Sequence, residues 1–105
     1  MRRIATGGRG PLWLRAERQA AGRGRSGRSW SSPAGNLSAT LLFEPGCAIE
    51  QAHQLSLVTG VAIFDAVVAT FAEAGIAAPS GLRVKWPNDL MIGDAKLSGV
   101  LIESS

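Results

Sequence analysis

The sequence predicts an α+β fold, and three observations carry that expectation. Short alternating segments flank one long helical stretch. The segments before and after that stretch are separated by turn residues rather than by further helices. The order is therefore strand, loop, strand, helix and then several strands, the pattern of helices segregated from a mixed or antiparallel sheet. At 105 residues the chain corresponds to one domain at most. Its 46% hydrophobic and 18% charged residues exclude a disordered chain.

Each element has a local reason. Leu12 to Glu17 follows a Gly-Pro breaker and alternates large with small or charged residues, as a strand does. Residues 20–35 contain Gly22, Gly24, Gly27, Pro33 and Gly35 and form a long loop. Leu37 to Phe43 is the second strand, with Leu37, Ala39, Leu41 and Phe43 on one face and Ser38 and Thr40 on the other. The first set is the expected core face. Residues 49–74 form the long helix, about 39 Å at 1.5 Å per residue. Its apolar stripe runs through Ile49, Ala52, Leu55, Val58, Ala62, Ala66 and Ala69, widened by Val61, Phe64, Val68 and Phe71. With only Glu50, Asp65 and Glu73 charged, much of it should be covered by sheet. Gly75 supplies the stop and Pro79 lies beyond. Leu82 to Trp86 is a short strand. Leu90–Ile92 and Leu97–Ile102 form a hairpin about Gly93-Asp94.

Charge is unevenly distributed. Residues 1–30 hold Arg2, Arg3, Arg9, Arg15, Arg18, Arg23, Arg25 and Arg28 against Glu17 alone, whereas residues 31–105 hold Arg83, Lys85 and Lys96 against seven acids. The positive end suits an anion, and phosphate is the first candidate because the guanidinium fork matches its oxygens in pairs. An Arg-rich start also mimics a transit peptide, but Gly7-Gly8-Arg9-Gly10-Pro11 breaks any amphipathic helix there. No uninterrupted apolar run reaches the ~18 residues of a membrane span. One cysteine, Cys47, excludes an internal disulfide framework. These features suit a cytoplasmic chain with no membrane partner.

The most informative stretch is Gln19 to Trp30. Arg23, Arg25 and Arg28, at spacings of two and three, do not share a helix face, and the interleaved glycines permit positive φ. This is the composition of a mobile loop that closes on polyanionic atoms. It lacks the Gly-Lys-Ser/Thr of a P-loop. Gly22, Gly24 and Gly27 have dinucleotide-loop spacing, but Ser-Trp-Ser-Ser-Pro follows where a hydrophobic helix belongs. A solvated basic loop and an RNA-binding segment with Trp30 as stacking residue are the competing readings. The acidic remainder of the chain argues against nucleic acid. A second cluster, Lys85-Trp86-Pro87-Asn88-Asp89, joins two strands and presents a cation, an aromatic, an amide and a carboxylate within five residues. It serves equally as a structural turn or as an adenylation site with a phosphate ligand and a base. Lys96 and Gly99 follow on the hairpin, where the glycine gives a ligand or backbone room to approach.

Together, Gln19, Gly22-Arg23-Gly24-Arg25-Ser26-Gly27-Arg28-Ser29-Trp30-Ser31-Ser32-Pro33 and Gly35-Asn36-Leu37 resemble the first signature of the biotin–protein ligases. Lys85-Trp86-Pro87-Asn88-Asp89-Leu90 and Lys96-Leu97-Ser98-Gly99-Val100-Leu101-Ile102-Glu103 resemble the second and third, in family order. The resemblance covers roughly residues 11–105. It implies the α+β catalytic core shared with lipoate ligases and related to class II aminoacyl-tRNA synthetases. It also implies ATP- and Mg2+-dependent activation of biotin to biotinyl-adenylate, then transfer to a lysine on a carboxylase's biotin carrier domain.

The resemblance further implies roles. Gln19 faces biotin. Arg23, Gly24 and Arg25 form the ligand-closing loop, with Gly22 and Arg28 supporting it. Trp30 packs near adenine, and Lys85 and Gly99 support the nucleotide side. Lys96 acts on the biotin carboxylate and then on the adenylate. Asn88 and Asp89 hold the phosphate–metal region, and Asp89 also receives the proton of the target lysine. Lys96, Arg25 and Asp89 are thus the catalytic candidates, and no residue is assigned firmly as a metal ligand. The family's Ser-Thr-Asn segment should precede Gln19, and Arg2-Arg3-Ile4-Ala5 resembles the end of the helix after it. A Gly/Asn-rich strand end should follow downstream. The expectation is a partial catalytic domain over 1–105, truncated at both ends, without a DNA-binding domain or C-terminal barrel. A homodimer is compatible with the resemblance, and a lipoate ligase is the enzymatic alternative.

Overall fold

A computed structural model of the protein describes residues 11–104. The tail-of-helix reading of Arg2 to Ala5 lies outside them. The chain separates into two compact units, and the division falls after Pro45-Gly46.

The first unit is a two-stranded antiparallel ribbon of β1 (Leu12–Ala16) and β2 (Ser38–Leu42), which brackets the arginine–glycine loop. Leu12 pairs with Leu42 and Ala16 with Ser38. The face expectation for β2 fails. Leu37, at 79% exposure, Ala39, Leu41 and Phe43 are exposed, whereas Ser38 and Leu42 are half-buried. Alternation along a strand does not say which of its faces is covered. A two-stranded ribbon buries little by itself.

The second unit places one helix on a three-stranded antiparallel sheet, β3 (Leu82–Lys85), β4 (Asp89–Ile92) and β5 (Ala95–Gly99), in sequential order. Helix α1 spans Gln54–Glu73, five residues later than its apolar pattern starts. Ile49–Gln51 instead closes a 3-10 turn, with the Gln51 amide donating to the Ala48 carbonyl at 2.9 Å. The C-terminus is a Schellman motif. The Ile76 amide donates to the Phe71 carbonyl and the Gly75 amide to that of Ala72, while Gly75 takes φ +70°.

The covered stripe of α1 runs through half-buried Leu55, Thr59, Ile63, Val67 and Phe71 and buried Gly60. Of the expected stripe, only Ala52, Leu55, Phe64 and Phe71 reach partial burial; Val58 is 63% exposed and Val61 54%. The helix is apolar on every side, so composition could not choose the covered face. Gly60 chose it. A Cβ there would lie 3.3 Å from Val84 Cγ1, so the glycine lets helix and β3 approach closely. On length and composition α1 would also suit a membrane span, but this stripe gives it a sheet partner in β3 and β4.

Leu90, opposite Val84, is 2% exposed, and Met91, opposite Arg83, is buried too. Leu82 and Val84 alternate with exposed Arg83 and Lys85. β4 and β5 meet in a two-residue loop at Gly93-Asp94, with Gly93 at φ +56° in the first position, as type II′ hairpins need. β5 ends at Gly99, so the expected strand through Ile102 is shorter. Both sheets are antiparallel, which resolves the mixed-or-antiparallel expectation among the described residues.

Candidate functional site

The tip of the arginine loop in the first unit is closed by backbone hydrogen bonds. Arg23 and Ser29 form an isolated antiparallel bridge, and the Gly24 amide donates to the Arg28 carbonyl at 2.7 Å. Arg25–Gly27 makes a single 3-10 turn inside that closure. It requires left-handed backbone at two successive residues, Ser26 at φ +60° and Gly27 at φ +72°. Glycine accepts this freely and serine does so at a cost. The loop expected to close on an anion thus contains a defined turn, and Arg23, Arg25 and Arg28 are exposed around it.

Three predicted site residues meet at Gly22. A Cβ on Gly22 would lie 3.1 Å from Trp30 Cδ1 and 3.2 Å from Gln19 Cβ, so Gln19 and Trp30 close tightly over the glycine, and a side chain there would press on both. Gln19 also borders a small hollow of about 100 Å3 on the ribbon, lined by Leu14, Arg15, Ala16, Ser38, Ala39 and Thr40. Ser32 ties this arrangement down. Its Oγ accepts from the Gln19 amide at 3.0 Å and lies 3.4 Å from Ser38 Oγ. Ser32 thus joins both ends of the loop to β2. The sequence reading assigned it no separate role, since a serine beside proline looks like ordinary loop composition.

In the second unit, Lys85 pairs with Asp89 across β3–β4, and Asp89 pairs with Gly99 across β4–β5. Directly opposed residues share a face, so Lys85 and Asp89 lie on one face, and the β5 partner of Asp89 contributes no side chain there. Lys96, opposite Met91, lies on the same face. Its ammonium stands 3.1 Å from Asp89 Oδ1, with the lysine 42% and the aspartate 20% exposed. Asp89 Oδ1 is itself shielded from solvent and has no hydrogen bond of good geometry, so the ion pair is its compensation. Two residues read as separate ligands are therefore partners of each other.

Asn88 is likewise engaged. Its Nδ2 donates to the Val100 carbonyl at 2.6 Å, and its own carbonyl accepts from the Val100 amide at 3.0 Å. Trp86, before a cis Pro87, is 73% exposed. Among the described residues, no three histidine, cysteine or carboxylate side chains gather as a metal site.

The biotin/lipoate A/B protein ligase family model matches residues 9–105. The chain belongs to this family. It is 41% identical over 103 residues to a biotin–[acetyl-CoA-carboxylase] ligase of Paracoccus denitrificans, covering 98% of this chain and 41% of that protein. Against the bifunctional ligase/repressor BirA of Escherichia coli it is 42% identical over 89 residues, 84% of this chain and 26% of the relative. Among solved structures, the biotin protein ligase of Leishmania major in complex with biotin matches with a TM-score of 0.76 and 38% identity, over 97% of this chain and 44% of that one. The α+β ligase fold expected from the motifs is thereby confirmed. The chain spans less than half the length of each of these relatives.

Proposed function

We propose that the protein carrying this chain activates biotin with ATP and transfers it to a lysine of a carboxylase's biotin carrier domain. The chain supplies the arginine loop and the Lys85–Glu103 segment of that catalytic domain. The observation that carries the reading is the pairing of its motifs with a biotin-bound structural neighbour that shares 38% identity over nearly the whole chain. The name of the Paracoccus relative supports a carboxylase as the acceptor protein.

The residues suit the chemistry. A carboxylate oxygen of biotin attacks the α-phosphorus of ATP, and the bond to the departing pyrophosphate breaks. Charge develops on phosphate oxygens, and preorganised cations stabilise it. Arg23, Arg25 and Arg28 offer guanidinium groups from a turn whose backbone is already closed. Lys96 brings an ammonium whose position is set by Asp89. In this reading Gln19, beside the ribbon hollow, is assigned to the biotin end and Trp30 to the adenine as an aromatic face. In the second step the target lysine amine attacks the acyl carbon and AMP leaves. The amine's proton passes to a carboxylate, for which Asp89 is the candidate. Magnesium would arrive with ATP, as it usually keeps most of its ligands from phosphate and water. Asp89 is the protein carboxylate nearest to that role.

Incubation of the purified protein with ATP, magnesium and radiolabelled biotin or lipoate tests the reading. Label in an adenylate and then in a carrier domain is expected from biotin. Adenylate from lipoate and not from biotin would overturn it.

A further inference from the structure

We infer that Asn88 is a positioning residue that selects the β5 register in which Gly99, and not Ser98, stands opposite Asp89 and leaves that carboxylate to Lys96, and that it acts through Val100 rather than as a phosphate or metal ligand. The inference rests on the proposed adenylation for its kinetic readout only. The β4–β5 ladder contains two incompatible frames. From the turn, Ile92 pairs with Ala95 and Met91 with Lys96; beyond a bulge, Leu90 pairs with Ser98 and Asp89 with Gly99. Leu97 is the extra residue. Continued without the bulge, the first frame would set Leu97 opposite Leu90 and Ser98 opposite Asp89.

The unbulged frame would keep Lys96 opposite Met91 but set Ser98, in place of Gly99, opposite Asp89. It would give the buried Leu90 a leucine neighbour in place of Ser98, whereas Leu97 is now 49% exposed. A one-residue slip in register exchanges the side chains on the two faces of a strand. Something must therefore hold the bulged frame, and the Asn88–Val100 bracket lies immediately beyond the Asp89–Gly99 pair. A hydrogen-bonded antiparallel pair normally exchanges two backbone bonds. Here the backbone supplies one, from the Val100 amide to the Asn88 carbonyl, and the Asn88 side-chain amide supplies the second at 2.6 Å. The bracket fixes Val100 opposite Asn88 and so Gly99 opposite Asp89. No β5 side chain then stands opposite the carboxylate, and Lys96 occupies it diagonally.

The role needs an N–H donor at position 88, whereas a cation ligand needs an oxygen. Asn88→Asp separates them, because aspartate is nearly isosteric, keeps the oxygen and removes the donor. Three readouts are compared in the parent, Asn88→Asp and Asn88→Ala proteins. They are the exchange rate of the Val100 amide, competitive acetylation of Lys96 followed by mass spectrometry, and adenylate formation as a function of magnesium. Both variants should exchange the Val100 amide and form adenylate about ten- to a hundred-fold differently from the parent, faster and slower respectively, the factor for one lost part-buried hydrogen bond. Lys96 should acetylate several-fold faster once its ion pair loosens, with half-saturating magnesium unchanged. If Asn88→Asp keeps parental exchange and Lys96 reactivity, or alone among the variants retains activity with a shifted magnesium requirement, the inference is overturned. If the parent forms no adenylate from biotin, the proposed function falls, and exchange and acetylation still decide the role of Asn88.

Discussion

The arginine loop and the lysine hairpin both present cations, but they hold them differently. In the loop, hydrogen bonds from backbone to backbone and two left-handed residues fix the chain, while the guanidinium groups stand exposed around it. In the hairpin, sheet register fixes the backbone and a carboxylate fixes the ammonium. An exposed arginine loses side-chain freedom when it grips a ligand, at a cost of up to about 2 kcal/mol. Lys96 has already lost much of it to Asp89. On the proposed function, the hairpin would orient the reacting carboxylate, and the loop would close on an anion after it has formed.

Breaking the hairpin side should have the largest effect. Lys96→Ala removes the cation and leaves the shielded Asp89 Oδ1 without its ion-pair partner. Rapid-quench assays should show adenylate formation falling about a hundredfold or more, the usual cost of losing one preorganised group at a developing charge. Release of the adenylate should change little. An unchanged formation rate would remove Lys96 from the chemistry.

Next comes the loop side. Arg25→Gly should leave formation nearly intact but speed loss of the intermediate about ten- to a hundred-fold, from a charge-assisted contact of roughly 1.5–3 kcal/mol. Acylation of bystander lysines reads this out. If Arg25→Gly slowed formation as Lys96→Ala does, the division of labour between the two regions would collapse.

A smaller effect is expected at Gly22. An alanine Cβ must push Trp30 and Gln19 apart by a few tenths of an ångström. Overpacking of this kind costs about 1 kcal/mol. Isothermal titration should show biotin binding about fivefold weaker, as that energy implies. Parental affinity would mean that Gln19 and Trp30 need not close over position 22.

The smallest change sharpens the contrast from within the loop. Ser26 occupies left-handed backbone at φ +60°, ψ +32°. Ser26→Gly relieves that conformation but gains freedom when the turn opens, so the two effects offset to within about 1 kcal/mol. Exchange of the Gly24 amide, bonded to Arg28, should change by no more than about fivefold. A larger slowing would show that the turn is strained enough to open on its own.

The turn chemistry was legible in the sequence because it is local. Gly75 ends the helix, Gly93 turns the hairpin and Pro45-Gly46 closes the first unit, each for a backbone reason that the residue itself carries. The three motifs were legible for the same reason, and the family match covers the span they occupy. The helix start was not, because the apolar pattern at Ile49–Gln51 suits a 3-10 turn as well as an α-helix. Ser32 was missed as a tie between Gln19 and Ser38, since its partners lie 13 and six residues away.

By itself the sequence determined which residues alternate, where the chain turns and where its charge collects, all properties of neighbours along the chain. Only the tertiary structure decided which face of β2 and of α1 is covered: on β2 the half-buried face is that of Ser38 and Leu42, not the more apolar one, and on the helix Gly60 lies against Val84. It also decided that Lys96 belongs to Asp89. Seven residues apart, they meet across a hairpin that sets Lys96 opposite Met91, two residues from Asp89, and whose bulge sets Gly99 opposite the carboxylate. Register is a relation between strands, and a single strand's alternation is the same in either frame.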